Sequence, residues 1–558
     1  MKKKLITSSL PYINGVKHIG NLIGSILPAD ICARYFRQQK YNVLFICGTD
    51  EHGTPAEIGA IKKKININKF CKKNYILQKN IYKKFNISFD FFGRTSSLFN
   101  HKFVKNIFNI LDKNGFIFSK HINQIYSVED KRFMPDRYIE GQCPFCNFYN
   151  ARSDQCDNCG SIFNINELIN PRSVLNPFST LKILDSEHLF FNFKKIENKL
   201  KYWITQNSSW SYIVKGISNK WIKKDLKPRC ITRDLKWGIK VPKSRFENKV
   251  FYVWFDAILG YISLTKELSC KKKKNNLWKK WWKNNKNVDL IQFMAKDNIF
   301  FHSILLPSIM MATKEKWTLP NNIKGLNWLT YEGKKFSTSL NYGVFTDKAL
   351  KFFPSDYWRY TLFYMIPESH DSDFSFNLMS NIINKLSNSL GNFVNRVTSI
   401  IIKNYNGTLN YGYIPDNKLI NIILKYIYKY DYFMHKLEYR KSGYIMLKLW
   451  QLGNTYFTKK KPWLKNNTYL FQYHNILKNC LWLIFIYSCI LYPIAPEIAL
   501  DIKNILPINK HYWSDSKSFL KQYWLLHELK VTSFSKKLIH KISKKKINKL
   551  KKFFKGKI

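Results

Sequence analysis

Apolar positions follow two different periods in the first fifty residues. Leu5 to Ser9 (LITSS) is a short run of strand type that Pro11, Asn14 and Gly15 break, and Leu22, Ile26, Ala29, Ala33 and Phe36 then recur at helical spacing. Tyr41 to Cys47 is a continuous apolar strand. Strand, helix, strand at this length predicts a parallel crossover unit, whose ligands lie beyond the carboxyl ends of the strands. Two loops fall there: the turn with His18, Gly20 and Asn21 before the helix, and Gly48-Thr49-Asp50-Glu51-His52-Gly53 after the second strand. Free N–H groups and the helix dipole make the first an anion site. The second is acidic and suits a cationic amino group, or is a solvated turn.

The pattern loosens from Gly115 and resumes far downstream. Lys249 to Phe255 (KVFYVWF) reads as a strand ending in Asp256-Ala257, and Val288 to Met294 as another ending in Lys296-Asp297-Asn298, followed by an apolar helix Phe300 to Ala312 that carries His302. These predict an α/β fold: one doubly wound parallel sheet, split by an insertion. Asp297 at a strand end would accept hydrogen bonds from a ribose or cap the helix. The loop Gly333 to Ser339 carries adjacent lysines and hydroxyls suited to phosphates, or is simply solvated. Beyond Phe374 the spacing is helical through Ile382–Ile402, Leu419–Met434, Ser442–Phe457 and Tyr469–Tyr492. The lysine-rich stretch Lys536 to Lys557 is either a surface helix or an RNA contact. Leu481 to Tyr492, twelve apolar residues before Pro493, is too short to span a bilayer, and no membrane association is expected.

Composition adds a partner class. The 558 residues carry 92 Lys+Arg against 37 Asp+Glu, a formal charge of +55, which suits RNA or reflects drift toward lysine, as in Lys62 to Asn68 (KKKININ). The 45% hydrophobic content supports several folded domains. Eleven cysteines, several isolated among apolar residues, predict a reducing, cytoplasmic setting, and Pro11, Asn14 and His18 interrupt any signal-peptide core. Four of them form two CxxC pairs, Cys143/Cys146 and Cys156/Cys159. That spacing predicts one closed, structural tetrahedral zinc site, against the alternative of disulfides.

Together these residues resemble the methionyl-tRNA synthetase family of the class I aminoacyl-tRNA synthetases. Leu10-Pro11-Tyr12 with His18-Ile19-Gly20-Asn21 is similar to the family's first ATP motif, HIGH, and Lys335-Phe336-Ser337-Thr338-Ser339 to its second, KMSKS. The GTDEHG loop, the zinc knuckle, Tyr252 to Ala257, Tyr261, Lys296-Asp297-Asn298 and Phe301-His302 follow in the family's order over about residues 1 to 510, and Pro462-Trp463 matches its anticodon-reading pair.

The resemblance implies a Rossmann-like catalytic domain in two halves, 1–115 and 246–330, around a connective insertion with the zinc knuckle, 116–245. It further implies a KMSKS-type loop and stem-contact region at 331–375, an all-α anticodon-binding bundle at 376–510 and a helical lysine-rich extension at 511–558. The implied reaction activates L-methionine with ATP and Mg2+ to methionyl-adenylate, then transfers it to the terminal adenosine of tRNA(Met) for translation initiation and elongation, in a monomer. Asp50 would bind the methionine ammonium, with Leu10, Tyr12, Trp254, Ile258, Tyr261 and His302 around its side chain. His18, Asn21 and Lys335 would stabilise the phosphates, and Gly20, Asp297, Lys335 and Thr338 would bind ATP. Cys143, Cys146, Cys156 and Cys159 would hold Zn2+, and Asn392, Arg396, Pro462 and Trp463 would read the anticodon. The sequence departs from the motifs at Asn21 (usually His), Thr338 (usually Lys), Leu340 (often Arg), Ile258 (Pro) and Ala295 (Gly). Other readings are a class I synthetase for an aliphatic amino acid, disfavoured by the lack of a large editing insertion, and a decayed tRNA-binding protein.

Overall fold

The computed structural model of the chain describes residues 3–152, 156, 158–159, 161, 167–223, 226–283, 287–337, 341–409, 413–464, 470–506, 529–531 and 538–555. Its centre is a five-stranded parallel sheet in the order Pro320–Leu326, Val288–Ala295, Lys3–Ser8, Asn42–Thr49, Phe91–Arg94. Lys3–Ser8 is the middle strand, pairing through Leu5 with both Leu290 and Leu44, so the two halves expected from the sequence form one sheet. The chain steps from this strand to one side first and returns later to build the other. That reversal opens a crevice at the carboxyl ends of Lys3–Ser8 and Val288–Ala295.

The helical segment behind the first strand runs from Ile19 to Gln38, with a π turn at Leu22–Ile26. A second π turn, Phe301–Leu305, opens the helix that carries His302. Both sit at the crevice, where such irregular turns are frequent.

One expectation fails locally. The strand predicted over Lys249 to Phe255 is cut to Val250–Phe251, and a helix runs from Val253 to Lys271. The aromatic and β-branched run has strand propensity, but Trp254, Ile258 and Tyr261 share one helix face, and tertiary packing on the sheet decides.

The insertion is built on a long antiparallel pair, Ile117–Ser127 with Leu181–Phe191. The knuckle hangs on a small sheet of Ile139–Gln142, Ala151–Arg152 and Ile169–Ser173.

The C-terminal half is helical as expected, with Phe376–Leu386, Asn392–Tyr405, Asn417–His435, Tyr439–Lys460 and Leu470–Leu491. Leu470–Leu491 is long and apolar enough to cross a membrane, yet it is almost wholly buried among other helices, as a core helix is. One apolar cluster runs from the sheet helix through Trp358 to this bundle. Arg359, fully buried, clamps the junction, donating to Asp30 at 2.7 Å and to the carbonyls of Phe85, Pro493 and Ile494 at 2.8–3.0 Å. Much of the lysine-rich extension lies outside the described residues. Its helix Lys544–Phe554 buries Ile547, Leu550 and Phe554, with Phe553 and Phe554 against Phe352, so it is anchored along one face.

Candidate active site

A cavity of about 360 Å³ occupies the crevice. Every described residue assigned to the reactants lines it: Leu10, Tyr12, His18, Gly20, Asn21, Asp50, Trp254, Ile258, Tyr261, Asp297, His302 and Lys335. Thr338, with Ser339 and Leu340, lies outside the described residues.

Two backbone hydrogen bonds stitch the first two loops together. Asp50 N–H donates to the Pro11 carbonyl and Ile13 N–H to the Asp50 carbonyl, both at 2.9 Å. Asp50 is 5% exposed, and among the described residues its Oδ1 has no hydrogen-bond partner. Burial, with Asp256 and Glu51 nearby, pushes its carboxyl well above the usual carboxylate range. An unpaired buried carboxylate oxygen at a cavity wall is a seat for a cation.

The wall beside it is apolar because its polar atoms satisfy each other. The Asn298 carbonyl lies 2.8 Å from His302 Nδ1, which fixes the proton there, so Nε2 accepts from the Tyr261 hydroxyl at 2.9 Å. Burial holds the His302 imidazole down to about 4, and it is neutral. Trp254 packs against Phe301 with ring centroids 4.6 Å apart.

At the turn before the first helix, the His18 ring stacks on Phe336 of the lysine loop at 4.4 Å and 4°. Burial, helped by the neighbouring Lys17 charge, pushes His18 down to about 3, so it is a neutral ring. Asn21 Oδ1 accepts from the His18 N–H at 3.2 Å and fixes the turn, so the Asn in place of the usual His serves here as an acceptor. Gly20 is required by space, since a Cβ there would lie 2.9 Å from His18 Nδ1. Asp297 sits in a tight turn, Lys296–Asn298, with the Trp328 indole 3.5 Å from its Oδ1, and caps no helix. Lys335 reaches over the Trp328 ring to the carbonyl of Asn158 in the knuckle, 2.6 Å away.

Sequence reasoning missed Lys17, Trp328, Phe336 and Asn298, which also line the cavity. It also missed the buried His52–Asp256 pair, at 3.0 Å behind Asp50. Lys17 and Phe336 adjoin the assigned His18 and Lys335, and that adjacency was the available signal. Asn298 likewise adjoins the assigned Asp297, and Trp328 carries no such signal.

The four cysteines converge, with all Sγ atoms within 4.8 Å of one another. Cys143–Cys159 and Cys146–Cys156 are 3.8 and 3.7 Å apart, too long for disulfides. A tetrahedron with Zn–S bonds of about 2.3 Å has edges of about 3.8 Å. Backbone N–H groups of Phe145 and Asn158 point at the sulfurs of Cys143 and Cys156, both at 3.4 Å, as they would at thiolates. The donor set fits a bound metal ion.

In the bundle, Arg396 lies over the rings of Phe457 and Trp463, at 4.6 and 5.4 Å, in a groove that also includes Asn395, Lys403 and Asn404. Trp463 is 38% exposed and Pro462 beside it is buried. Asn392 does not line this groove. It starts the same helix, exposed, one turn before Arg396.

Comparison with known proteins agrees with this geometry. Residues 4–398 match the family of class I tRNA synthetases (M), and residues 411–558 match the anticodon binding domain of methionyl tRNA ligase, a match that runs through the expected C-terminal extension. A curated methionine–tRNA ligase of Acaryochloris marina is 44% identical over 88% of this chain and 89% of its own. One from Streptomyces avermitilis is 42% identical over 91% of each. The methionyl-tRNA synthetase of Mycobacterium tuberculosis, solved with methionyl-adenylate, shares the fold with a TM-score of 0.78 at 21% identity, covering 97% of this chain and all of that one.

Proposed function

The chain belongs to the methionyl-tRNA synthetase family of class I aminoacyl-tRNA synthetases, the ATP-dependent methionine–tRNA ligases, and on that premise we propose how its own residues divide the work. The observation that carries the reading is the unpaired Asp50 oxygen, which adjoins an apolar aromatic wall on one side and the His18 turn on the other.

The methionine ammonium pairs with Asp50. Its thioether lies against Leu10, Tyr12, Trp254, Ile258, Tyr261 and His302, where aromatic contacts with sulfur are worth roughly 0.3–1.5 kcal/mol each. The Tyr261 proton is committed to His302, so this hydroxyl does not demand a polar side chain there. ATP sits along Gly20 with its ribose on Asp297. Its phosphates meet His18, Lys335 and the loop through Thr338, with Asn21 holding the turn, and Mg2+ arrives with the nucleotide. The methionine carboxylate attacks the α-phosphorus in line, the bond to the β-phosphate oxygen breaks, and pyrophosphate leaves with the electron pair. A hydroxyl of the terminal tRNA ribose then attacks the adenylate carbonyl and AMP departs. No protein nucleophile is needed, and catalysis is positioning plus electrostatics.

Zn2+ is the ion that best suits four thiolates in a closed site, and its role there is structural. In the bundle, Trp463 stacks on an anticodon base of tRNA(Met) above Pro462, while Arg396 and Asn392 reach base edges. The divisions at 115, 245, 330, 375 and 510 describe the working parts, and the protein acts as a cytoplasmic monomer.

Charging of a tRNA(Met) transcript with labelled methionine and ATP tests this. Methionylation supports it; failure with tRNA(Met) alongside charging of another tRNA by its own amino acid overturns it.

A further inference from the structure

We propose that the Lys17 ammonium is a catalytic cation that holds the methionine carboxylate and the ATP α-phosphate together during adenylate formation. This rests on the adenylation reading above and adds a residue to it.

The cavity is short of positive charge for what it must hold. Among the described residues lining it, the cations are Lys17 and Lys335, since burial keeps His18 and His302 neutral. Lys335 is engaged at the knuckle edge, over Trp328 and on the Asn158 carbonyl. The second lysine of the KMSKS pattern is Thr338 in this chain. A triphosphate and a carboxylate brought together in a partly dry cleft need more than one cation, because charge in such a site is worth far more than in water.

Lys17 is placed for the reacting end. Its carbonyl accepts from Thr346 twice, from N–H at 2.9 Å and from Oγ1 at 2.7 Å, and Ile19 N–H donates to Val344 at 2.9 Å. The main chain on both sides of His18 is thus fixed, and the lysine side chain leaves a rigid base. Among the described residues its ammonium has one hydrogen-bond partner, the uncharged Asn14 Oδ1 at 2.6 Å, which leaves two donors. Lys17 and Asp50 line the same cavity, and while burial lowers the Lys17 ammonium to about 7, the Asp50 charge acts to raise it. An amino acid whose ammonium sits on Asp50 carries its carboxylate one carbon away, and that carboxylate is the nucleophile. A cation lining the same cavity as Asp50 is placed to meet the attacking oxygen and the phosphate it attacks. The bound carboxylate and phosphate charges favour its protonated form; the new carboxyl O–P bond forms, the bond to pyrophosphate breaks, and no proton moves.

The test is methionine-dependent exchange of labelled pyrophosphate into ATP by the unmodified protein, Lys17→Met and Lys17→Arg. The expected result is a fall in kcat of about 100-fold in Lys17→Met, the scale of one lost oxyanion-type donor, with KM for methionine no higher. In Lys17→Arg most of the rate returns. A methionine KM at its parental value shows that Lys17→Met is folded with an intact amino-acid site. Unchanged kcat in Lys17→Met, or a raised methionine KM at unchanged kcat, overturns the proposal and makes Lys17 a mere counter-ion of Asp50. Arginine failing to restore the rate also overturns it. Absence of methionine-dependent exchange in the unmodified protein overturns the adenylation reading instead.

Discussion

The Lys335 ammonium donates a 2.6 Å hydrogen bond to the backbone carbonyl of Asn158. Asn158 stands between Cys156 and Cys159, and its own N–H points at the Cys156 sulfur. One residue thus joins the four-cysteine knuckle to the lysine loop.

Elemental analysis should find about one zinc per chain, because four thiolates close one tetrahedral site. Cys146→Ser should lose most of it and slow adenylate formation more than it weakens methionine binding, since the carbonyl that steadies Lys335 moves with the knuckle. Full zinc in Cys146→Ser contradicts the four-sulfur site.

Asp50→Asn should separate stability from function. Burial raises the folded carboxyl above its unfolded value, so Asp50 favours the fold most below about pH 4 and that contribution is lost as pH rises toward the folded pKa. Removing the charge should raise Tm at pH 7 and change it least at pH 4, by calorimetry. Methionine binding should weaken about thirtyfold or more, because losing one partner of a buried charge pair costs roughly 2–5 kcal/mol. A lower Tm together with unchanged methionine affinity would remove Asp50 from the site.

His18 should act without titrating. With its pKa held near 3, pyrophosphate exchange should show no loss between pH 7 and 5.5 attributable to this ring, while His18→Ala loses about 100-fold or more. An acid limb near pH 6.5 that vanishes in His18→Asn would show a charged imidazole.

Trp463→Ala should weaken tRNA charging about 5- to 150-fold, the range of roughly 1–3 kcal/mol for one lost base stack, and leave pyrophosphate exchange intact. Equal loss of both activities would mean that Trp463 supports the fold and does not meet tRNA.

Residues that sequence can find are those whose type is demanded by chemistry at a predicted strand end. Asp50 and Asp297 stand at such ends, His18 stands in the loop between the first strand and its helix, and CxxC spacing alone brought four sulfurs together. What stayed hidden depended on three-dimensional approach. Phe336 stacks on His18 across more than three hundred residues of sequence, and Trp328 covers Asp297 from a neighbouring loop. Lys249 to Phe255 misled for a local reason: the run has strand propensity, while Trp254, Ile258 and Tyr261 share one face of a helix. Asn392, Arg396, Pro462 and Trp463 were named as one set by the resemblance, but the groove joins Arg396 and Trp463 with Asn395 and Lys403 and is not lined by Asn392 or Pro462.

Exchange of labelled pyrophosphate into ATP, run with each amino acid in turn and no tRNA, tests the central claim most directly. Exchange with methionine, and with none of valine, isoleucine or leucine, is the predicted result. Exchange with one of those three in preference to methionine, or with no amino acid at all, would contradict it.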